Sequence, residues 1–174
     1  MSTRRPLTLG LAVLVLAVAT LVLASTRCVA ASLDTRYEVI VGSDGSALVK
    51  IFITYEGDAP YLTLLPPGHP DLLITYLSNG TLLDHQLYEN GTLLIMVPQS
   101  YKGTIIVEYV TQSLTEKHEA LWMFSISVNA SLRVKMPENA VILDVSRLPD
   151  DVRLEDHSII LDYSVGGGVE VVYT

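Results

Sequence analysis

Thiol chemistry is almost absent from this chain. Cys28 is the single cysteine among 174 residues, so neither a disulfide nor a thiolate zinc site can form within one chain. It lies in a hydrophobic N-terminal segment that we expect to be cleaved, which would leave a mature chain with no thiol. Thr26 and Arg27 precede it where a lipoprotein signal needs small residues, so lipid attachment is a poor fit.

Positive charge is scarce after position 31. Residues 32–174 contain all nineteen acidic residues but only eight of the eleven basic ones, and their net charge is therefore −11. This balance repels phosphate backbones and anionic lipid headgroups. The composition predicts that the protein does not bind nucleic acid, and that it contacts a membrane only through its N-terminal segment, if that segment is retained.

Catalytic and cofactor motifs are missing as well. His118 and Glu119 begin like a zinc-protease helix, but Trp122 occupies the position of the required second histidine. The glycine run 166–168 has no helix after it, and no Gly-x-Ser-x-Gly elbow occurs. We therefore predict a protein that is not an enzyme, with no catalytic residue, no cofactor-binding residue and no cofactor.

Two groups of residues bear on metal binding. Isolated surface histidines are far commoner than a metal site built from four separate elements, and the four histidines here are isolated in sequence (His69, His85, His118, His157). An acidic cluster could supply oxygen ligands for calcium, although its spacing matches no EF-hand loop (Asp144, Asp150, Asp151, Glu155, Asp156). We predict no metal site, and calcium binding stays open at this stage.

The one long hydrophobic run lies at the N terminus. Arg4 and Arg5 precede the apolar residues 7–24, and Val29-Ala30-Ala31 form a plausible cleavage site. The run is also long enough for a membrane-spanning helix, and either interpretation places the rest of the chain outside. We predict that residues 1–31 are a signal peptide or membrane anchor, with cleavage before Ser32 favoured. Residues 32–174 would form a single extracytoplasmic domain.

The chain after Ser32 is organised as short strands. About eleven apolar or alternating runs are separated by Gly, Pro and Asn turn signals. Alternation predicts one buried apolar face in the run 47–55 (Ala47, Val49, Ile51, Ile53, Tyr55) and one shared face in the run 121–128 (Trp122, Phe124, Ile126, Val128). This pattern predicts an all-β fold, an antiparallel β-sandwich with a β-barrel as the alternative, preceded by the N-terminal hydrophobic helix. We expect Trp122 at the centre of the core. The last strand, 169–173, is predicted at a sheet edge, where it or the strand 36–41 could pair with another chain.

Three asparagines stand in glycosylation triplets. Asn79-Gly80-Thr81, Asn90-Gly91-Thr92 and Asn129-Ala130-Ser131 all fit Asn-x-Ser/Thr without proline. Asn-Gly between apolar runs also predicts hairpin turns in which both residues accept positive φ. An asparagine can form such a turn and also be glycosylated. We predict Asn79, Asn90 and Asn129 as glycosylation sites.

A short stretch resembles a known class of proteins. Its residues are aromatic and strand-like (Tyr109-Val110-Thr111, Leu114-Thr115, Lys117, Trp122, Phe124, Met136-Pro137). It is similar to small β-sandwich ectodomains of archaeal secreted or membrane-anchored surface proteins. The resemblance covers about thirty residues and implies fold and cell-surface location; it carries over no functional residue.

Three functions follow from these observations. The first is a non-enzymatic surface protein with a structural, adhesion or assembly role, which meets cell-envelope partners or self-associates through sheet edges. The second is an extracellular module that binds a glycan, a peptide or an envelope partner through the His69-Pro70 loop or tyrosines such as Tyr61 and Tyr101. The third, a secreted hydrolase, requires at least two titratable groups with perturbed environments in one pocket.

Overall fold

The computed structural model describes residues 34–174. The predicted signal or anchor segment, residues 1–31, lies outside these residues, and so does Cys28. In the described part, strands make up 62% of the residues and no residue is helical. The all-β prediction is therefore confirmed. Within the same residues no helix has the length and hydrophobicity needed to cross a membrane.

Fourteen strands follow one another along the described chain. They are β1 (Asp34–Val41), β2 (Ala47–Glu56), β3 (Tyr61–Leu64), β4 (Leu72–Leu77), β5 (His85–Leu87), β6 (Leu93–Met96), β7 (Lys102–Thr111), β8 (Thr115–His118), β9 (Leu121–Val128), β10 (Ser131–Glu138), β11 (Ile142–Val145), β12 (Asp151–Glu155), β13 (Ser158–Tyr163) and β14 (Gly167–Tyr173).

These strands form three open sheets. The large sheet has the order β12-β13-β10-β1-β2-β7-β4, and the two smaller sheets have the orders β11-β14-β9-β8 and β3-β6-β5. Each sheet ends in two edge strands, so the β-barrel alternative is wrong for these residues. The pair β1–β10 is parallel, which makes the large sheet mixed rather than wholly antiparallel.

The core of the large sheet follows from the alternation along β2 and β7. On β2 the residues Ala47, Val49, Ile51, Ile53 and Tyr55 are all buried, as the alternation predicts. Ten registered pairs join β2 to β7, whose inward residues are also buried. Residues of all three sheets belong to one hydrophobic cluster, so burial of apolar area holds the sheets together.

The Asn-Gly hairpins form as predicted, with a different turn geometry. At the first, the backbone N–H of Leu77 donates to the carbonyl of Thr81 at 2.8 Å, and the Asn79 carboxamide oxygen accepts from Thr81 N–H at 3.0 Å. Only the glycine has positive φ, +85° at Gly80, which is the type I turn with a following glycine bulge. Asn90-Gly91 repeats this hydrogen-bond pattern, and so does Asp44-Gly45.

Trp122 does not occupy the centre of the core. It is half-buried, its ring lies under the Lys117 ammonium at 5.1 Å, and it approaches the backbone of Gly45. Phe124, two residues later on the same face, is fully buried. Alternation gave the correct face of β9, but the prediction of Trp122 as the core centre is wrong, because the end of β9 near Trp122 is only partly covered.

The two strands expected to pair with other chains lie inside sheets. β14 is flanked by β11 and β9, and β1 is flanked by β10 and β2. The expectation that strand 169–173 is an edge strand is therefore wrong. The edges in the described part are β12 and β4 of the large sheet, β11 and β8 of the four-stranded sheet, and β3 and β5 of the three-stranded sheet.

Candidate binding site

A cavity of about 540 Å³ opens where the two small sheets approach each other over the large sheet. Tyr37 of β1 lines it from the large sheet. Its walls are the loop 65–69, the turn 90–91 between β5 and β6, and the end of β9 with the following turn, residues 127–129. We call this space the loop cavity.

Hydrogen bonds from β7 and the segment after it hold the 65–69 wall. The Tyr109 hydroxyl donates to the carbonyl oxygen of Pro67 at 2.7 Å, and the backbone N–H of His69 donates to the Ser113 hydroxyl at 2.8 Å. Gly68 between them has φ +74°, and a Cβ there would lie 2.6 Å from Ser113 Oγ. The wall is therefore a preformed loop that requires glycine at position 68.

The polar groups that line the loop cavity include no acid, lysine or arginine. The Tyr37 hydroxyl makes no hydrogen bond to another residue of the described part, and burial raises the pKa of Tyr37. The Asn90 carboxamide oxygen accepts from the backbone N–H of Thr92 at 3.0 Å, which leaves Nδ2 as a donor. Ser127, Asn129 and His69 complete the polar lining. This set can hydrogen-bond an uncharged ligand.

The predicted glycosylation sites fall into two groups. Asn90 and Asn129 line the loop cavity, whereas Asn79 lies on a different hairpin after β4. All three side chains are exposed, and glycosylation of each stays a prediction. A mass of the mature protein from its native host equal to that of the bare polypeptide would exclude it.

The histidines and the other tyrosines singled out from the sequence do not gather at one place. Only His69 lines the loop cavity, while His85 Nδ1 lies 3.0 Å from Thr75 Oγ1 and His118 lies 3.2 Å from Glu116. Tyr61 is exposed on β3, and the Tyr101 hydroxyl donates to the Thr104 carbonyl at 3.2 Å. Across residues 34–174, no three His, Cys, Asp or Glu side chains form a group that could hold a metal ion.

Two of the acidic residues considered for calcium, Asp150 and Asp151, have other partners. Asp150 accepts hydrogen bonds from the Ser164 backbone N–H at 2.6 Å and from its hydroxyl at 2.7 Å, and these bonds lower the pKa of Asp150. Asp151 forms an ion pair with Arg153 at 3.0 Å. The first contact joins the segments beside β12 and β13 and the second lies within β12, so neither gathers the carboxylates around one point.

Charged side chains cross the outer face of the large sheet, on the side away from the core. Lys50 pairs with Glu108 at 3.1 Å, and Arg133 pairs with Asp162 at 2.7 Å. Burial opposes ionisation of Asp162, but hydrogen bonds from Arg133 and Arg153 outweigh it and lower the pKa of Asp162. Because these side chains pair with one another across neighbouring strands, the band is a sheet-stabilising feature and is separate from the loop cavity.

The all-β fold of these residues is similar to part of two solved structures. An aminopeptidase N family protein from Idiomarina loihiensis superposes with a TM-score of 0.52 at 10% identity, over 79% of this chain and 29% of that chain. A mutant M1 zinc metallopeptidase from Deinococcus radiodurans, bound to a Tyr-Ser-Ala substrate, superposes with a TM-score of 0.50 at 11% identity, over 81% and 42%.

These similarities show the fold alone. The chain spans less than half the length of either metallopeptidase. No protein-family model matches the chain, and no curated protein matches it either.

Some residues of the loop cavity could be predicted from the sequence. It singled out the His69 loop as a possible binding surface and Asn90 and Asn129 as glycosylation sites, and the structure brings all three to one cavity. It missed Tyr37 and Ser127, which are ordinary alternating residues of strands. No local signal distinguishes them, because their role depends on which strands lie beside the loop.

Proposed function

We propose that residues 34–174 form an exported, non-catalytic β-sandwich domain that works by binding. The loop cavity carries this proposal, because it is a preformed site lined by polar hydrogen-bonding groups and apolar side chains. Such a lining is typical of small-ligand sites. Among the described residues that line it, Tyr37 and His69 are the only titratable ones, so the lining offers His69 no carboxylate or lysine with which to form an acid–base pair.

The similarity to metallopeptidases supports an accessory role rather than catalysis by this chain. The similar part is less than half of each enzyme. The chain contains His118-Glu119 without the second histidine one helical turn later, and those two residues lie at the end of strand β8 and just after it instead of on a helix. The helix that would present two histidines to zinc is therefore not formed at this place.

An activity assay tests the proposal directly. We expect the purified full chain, supplied with zinc, to release no product from aminoacyl-nitroanilides or short peptides above the rate of a no-protein blank. An active M1 aminopeptidase in the same buffer serves as the positive control. Zinc-dependent turnover that a chelator abolishes and added zinc restores would overturn the proposal and establish a hydrolase.

Assembly through a sheet edge is the second candidate function. The edge strand β12 pairs with β13 so that Val152 and Leu154 point to the same face as the core residue Leu161, yet they are 57% and 76% exposed. The large sheet thus extends one strand beyond its covering layer, and an uncovered edge of this kind can accept another strand. A chain that stays monomeric at millimolar concentration in light scattering would exclude this candidate.

A further inference from the structure

We propose that the loop cavity binds a neutral sugar, a ligand of one or two uncharged rings rich in hydroxyl groups. This inference deepens the proposed binding function and rests on it. Three properties of the cavity carry it: the absence of acids, lysines and arginines from its lining, its mixture of donors and acceptors over an apolar surface, and its preformed shape.

The lining selects against charged ligands. None of the residues around the loop cavity is an acid, a lysine or an arginine, although residues 32–174 carry a net charge of −11. A phosphate, carboxylate or ammonium group would lose hydration on entering, and the lining holds no lysine, arginine or carboxylate to pair with it. An uncharged ligand avoids this cost, since neutral hydrogen-bonding groups can replace the water it loses.

The polar groups fit hydroxyls, which both donate and accept hydrogen bonds. The Tyr37 and Ser127 hydroxyls can do either, and Asn90 Nδ2 can donate while its carboxamide oxygen is held by Thr92. Apolar residues lie among them, including Pro66 and Val128. A sugar ring presents hydroxyls at its rim and C–H groups on its faces, so it can use both parts of the lining.

Shape and strand pairing favour a sugar over a peptide. A peptide that binds by strand addition needs an edge strand with free backbone groups. Tyr37 of β1 is paired on both sides, with β10 and β2. The cavity end of β9, Ser127 and Val128, pairs with β14 alone, since β8 pairs only with Leu121–Phe124, and this two-residue edge is shorter than the usual strand of about 3–10 residues. The volume of about 540 Å³ suits a small ligand. Hydrogen bonds to Pro67 and His69 hold the wall before binding, which reduces the entropy lost on ordering.

Asn90 links the cavity to the predicted glycosylation. Its Nδ2 atom is the one that a glycan would occupy, so ligand binding and glycosylation of Asn90 exclude each other. The protein for the binding test is therefore the full chain produced in a bacterial host without N-glycosylation. For Asn90, this inference replaces the prediction of glycosylation made from the sequence: in the native host, we expect peptide mapping to show Asn90 unmodified in the ligand-binding protein.

The test is an array of neutral and acidic oligosaccharides, followed by calorimetric titration of the best neutral and the best acidic disaccharide. We expect binding to a neutral member and no preference for acidic ones. Asn90→Asp should weaken binding about tenfold, because it keeps the oxygen that Thr92 N–H needs and replaces the donor by a negative charge. Asn79→Asp, the same change on the matching turn outside the cavity, should leave affinity within about twofold.

A second variant distinguishes loss of a ligand contact from loss of folding stability. Tyr37→Phe keeps the ring and removes the hydroxyl, and we expect a loss of affinity of about threefold to tenfold with an unchanged thermal midpoint.

Four results would each overturn the inference: absence of neutral-sugar binding, a preference for acidic sugars, equal effects of Asn90→Asp and Asn79→Asp, or complete native glycosylation of Asn90. Cleavage of the bound oligosaccharide would instead overturn the non-catalytic proposal and leave the sugar site standing.

Discussion

Replacing Phe124 by alanine is expected to lower the free energy of unfolding by about 3–5 kcal/mol, the range for truncating a fully buried aromatic ring. Phe124 has no exposed surface, and its strand is paired on both sides, with Val171 of β14 and Thr115 of β8 as its partners. Removal of the ring leaves a cavity that its neighbours can close only in part. Urea unfolding of the wild type and variant, followed by circular dichroism, measures the change.

Trp122→Ala is the matched control on the same strand and face. We expect it to cost less than half as much as Phe124→Ala, because Trp122 is half-buried and solvent fills the space that its ring leaves. The cation–π contact with Lys117 adds about 0.5–1 kcal/mol at an exposed site. An equal or larger loss for Trp122→Ala would contradict this account and restore Trp122 as the core centre that the sequence predicts.

Gly45→Ala is expected to destabilise the domain by about 2–5 kcal/mol, from two separable causes. Gly45 has φ +83°, which costs a residue with a Cβ about 1–2 kcal/mol. A Cβ at this position would also lie 2.6 Å from Cη2 of Trp122 and closer still to Cζ3. Relief of that overlap requires the ring to move, at about 1–3 kcal/mol. Thermal and urea unfolding measure the total.

Gly80→Ala isolates the first cause. Gly80 occupies the same turn type with φ +85°, and nothing lies within 4 Å of the position its Cβ would take. We therefore expect it to lose only the conformational part, about 1–2 kcal/mol. In the Gly45→Ala background, Trp122→Leu should recover part of the stability. If Gly45→Ala and Gly80→Ala cost the same, the close approach of Gly45 and Trp122 is not a significant constraint.

The parts of the fold that sequence reasoning predicted are local ones. Alternation identified the buried face of β2 from Ala47 to Tyr55, because a strand with one covered face needs apolar residues at every second position. Asn79-Gly80 and Asn90-Gly91 marked two hairpins for a similarly local reason. The turn type was missed, since Asn-Gly is compatible both with two residues of positive φ and with glycine alone in that conformation.

The parts that were not predicted depend on contacts distant in sequence. The sequence pattern of a strand does not show which other strand it pairs with. The parallel pairing of β1 with β10 was therefore not predicted, and β14 was wrongly assigned to a sheet edge. The prediction of the candidate site was incomplete for the same reason. The His69 loop and Asn90 carry recognisable local signals, whereas Tyr37 becomes a site residue only because β1 runs beneath that loop.

The central position of β1 in the large sheet affects the order in which the parts of the protein can fold. β1 pairs with β2 through a short hairpin, but its other edge needs β10, with Tyr37 opposite Leu132. During synthesis, one edge of β1 therefore stays unpaired until most of the domain has been made. Distant pairing of this kind slows folding and exposes an aggregation-prone edge. We expect the nascent chain to need a chaperone until β10 arrives.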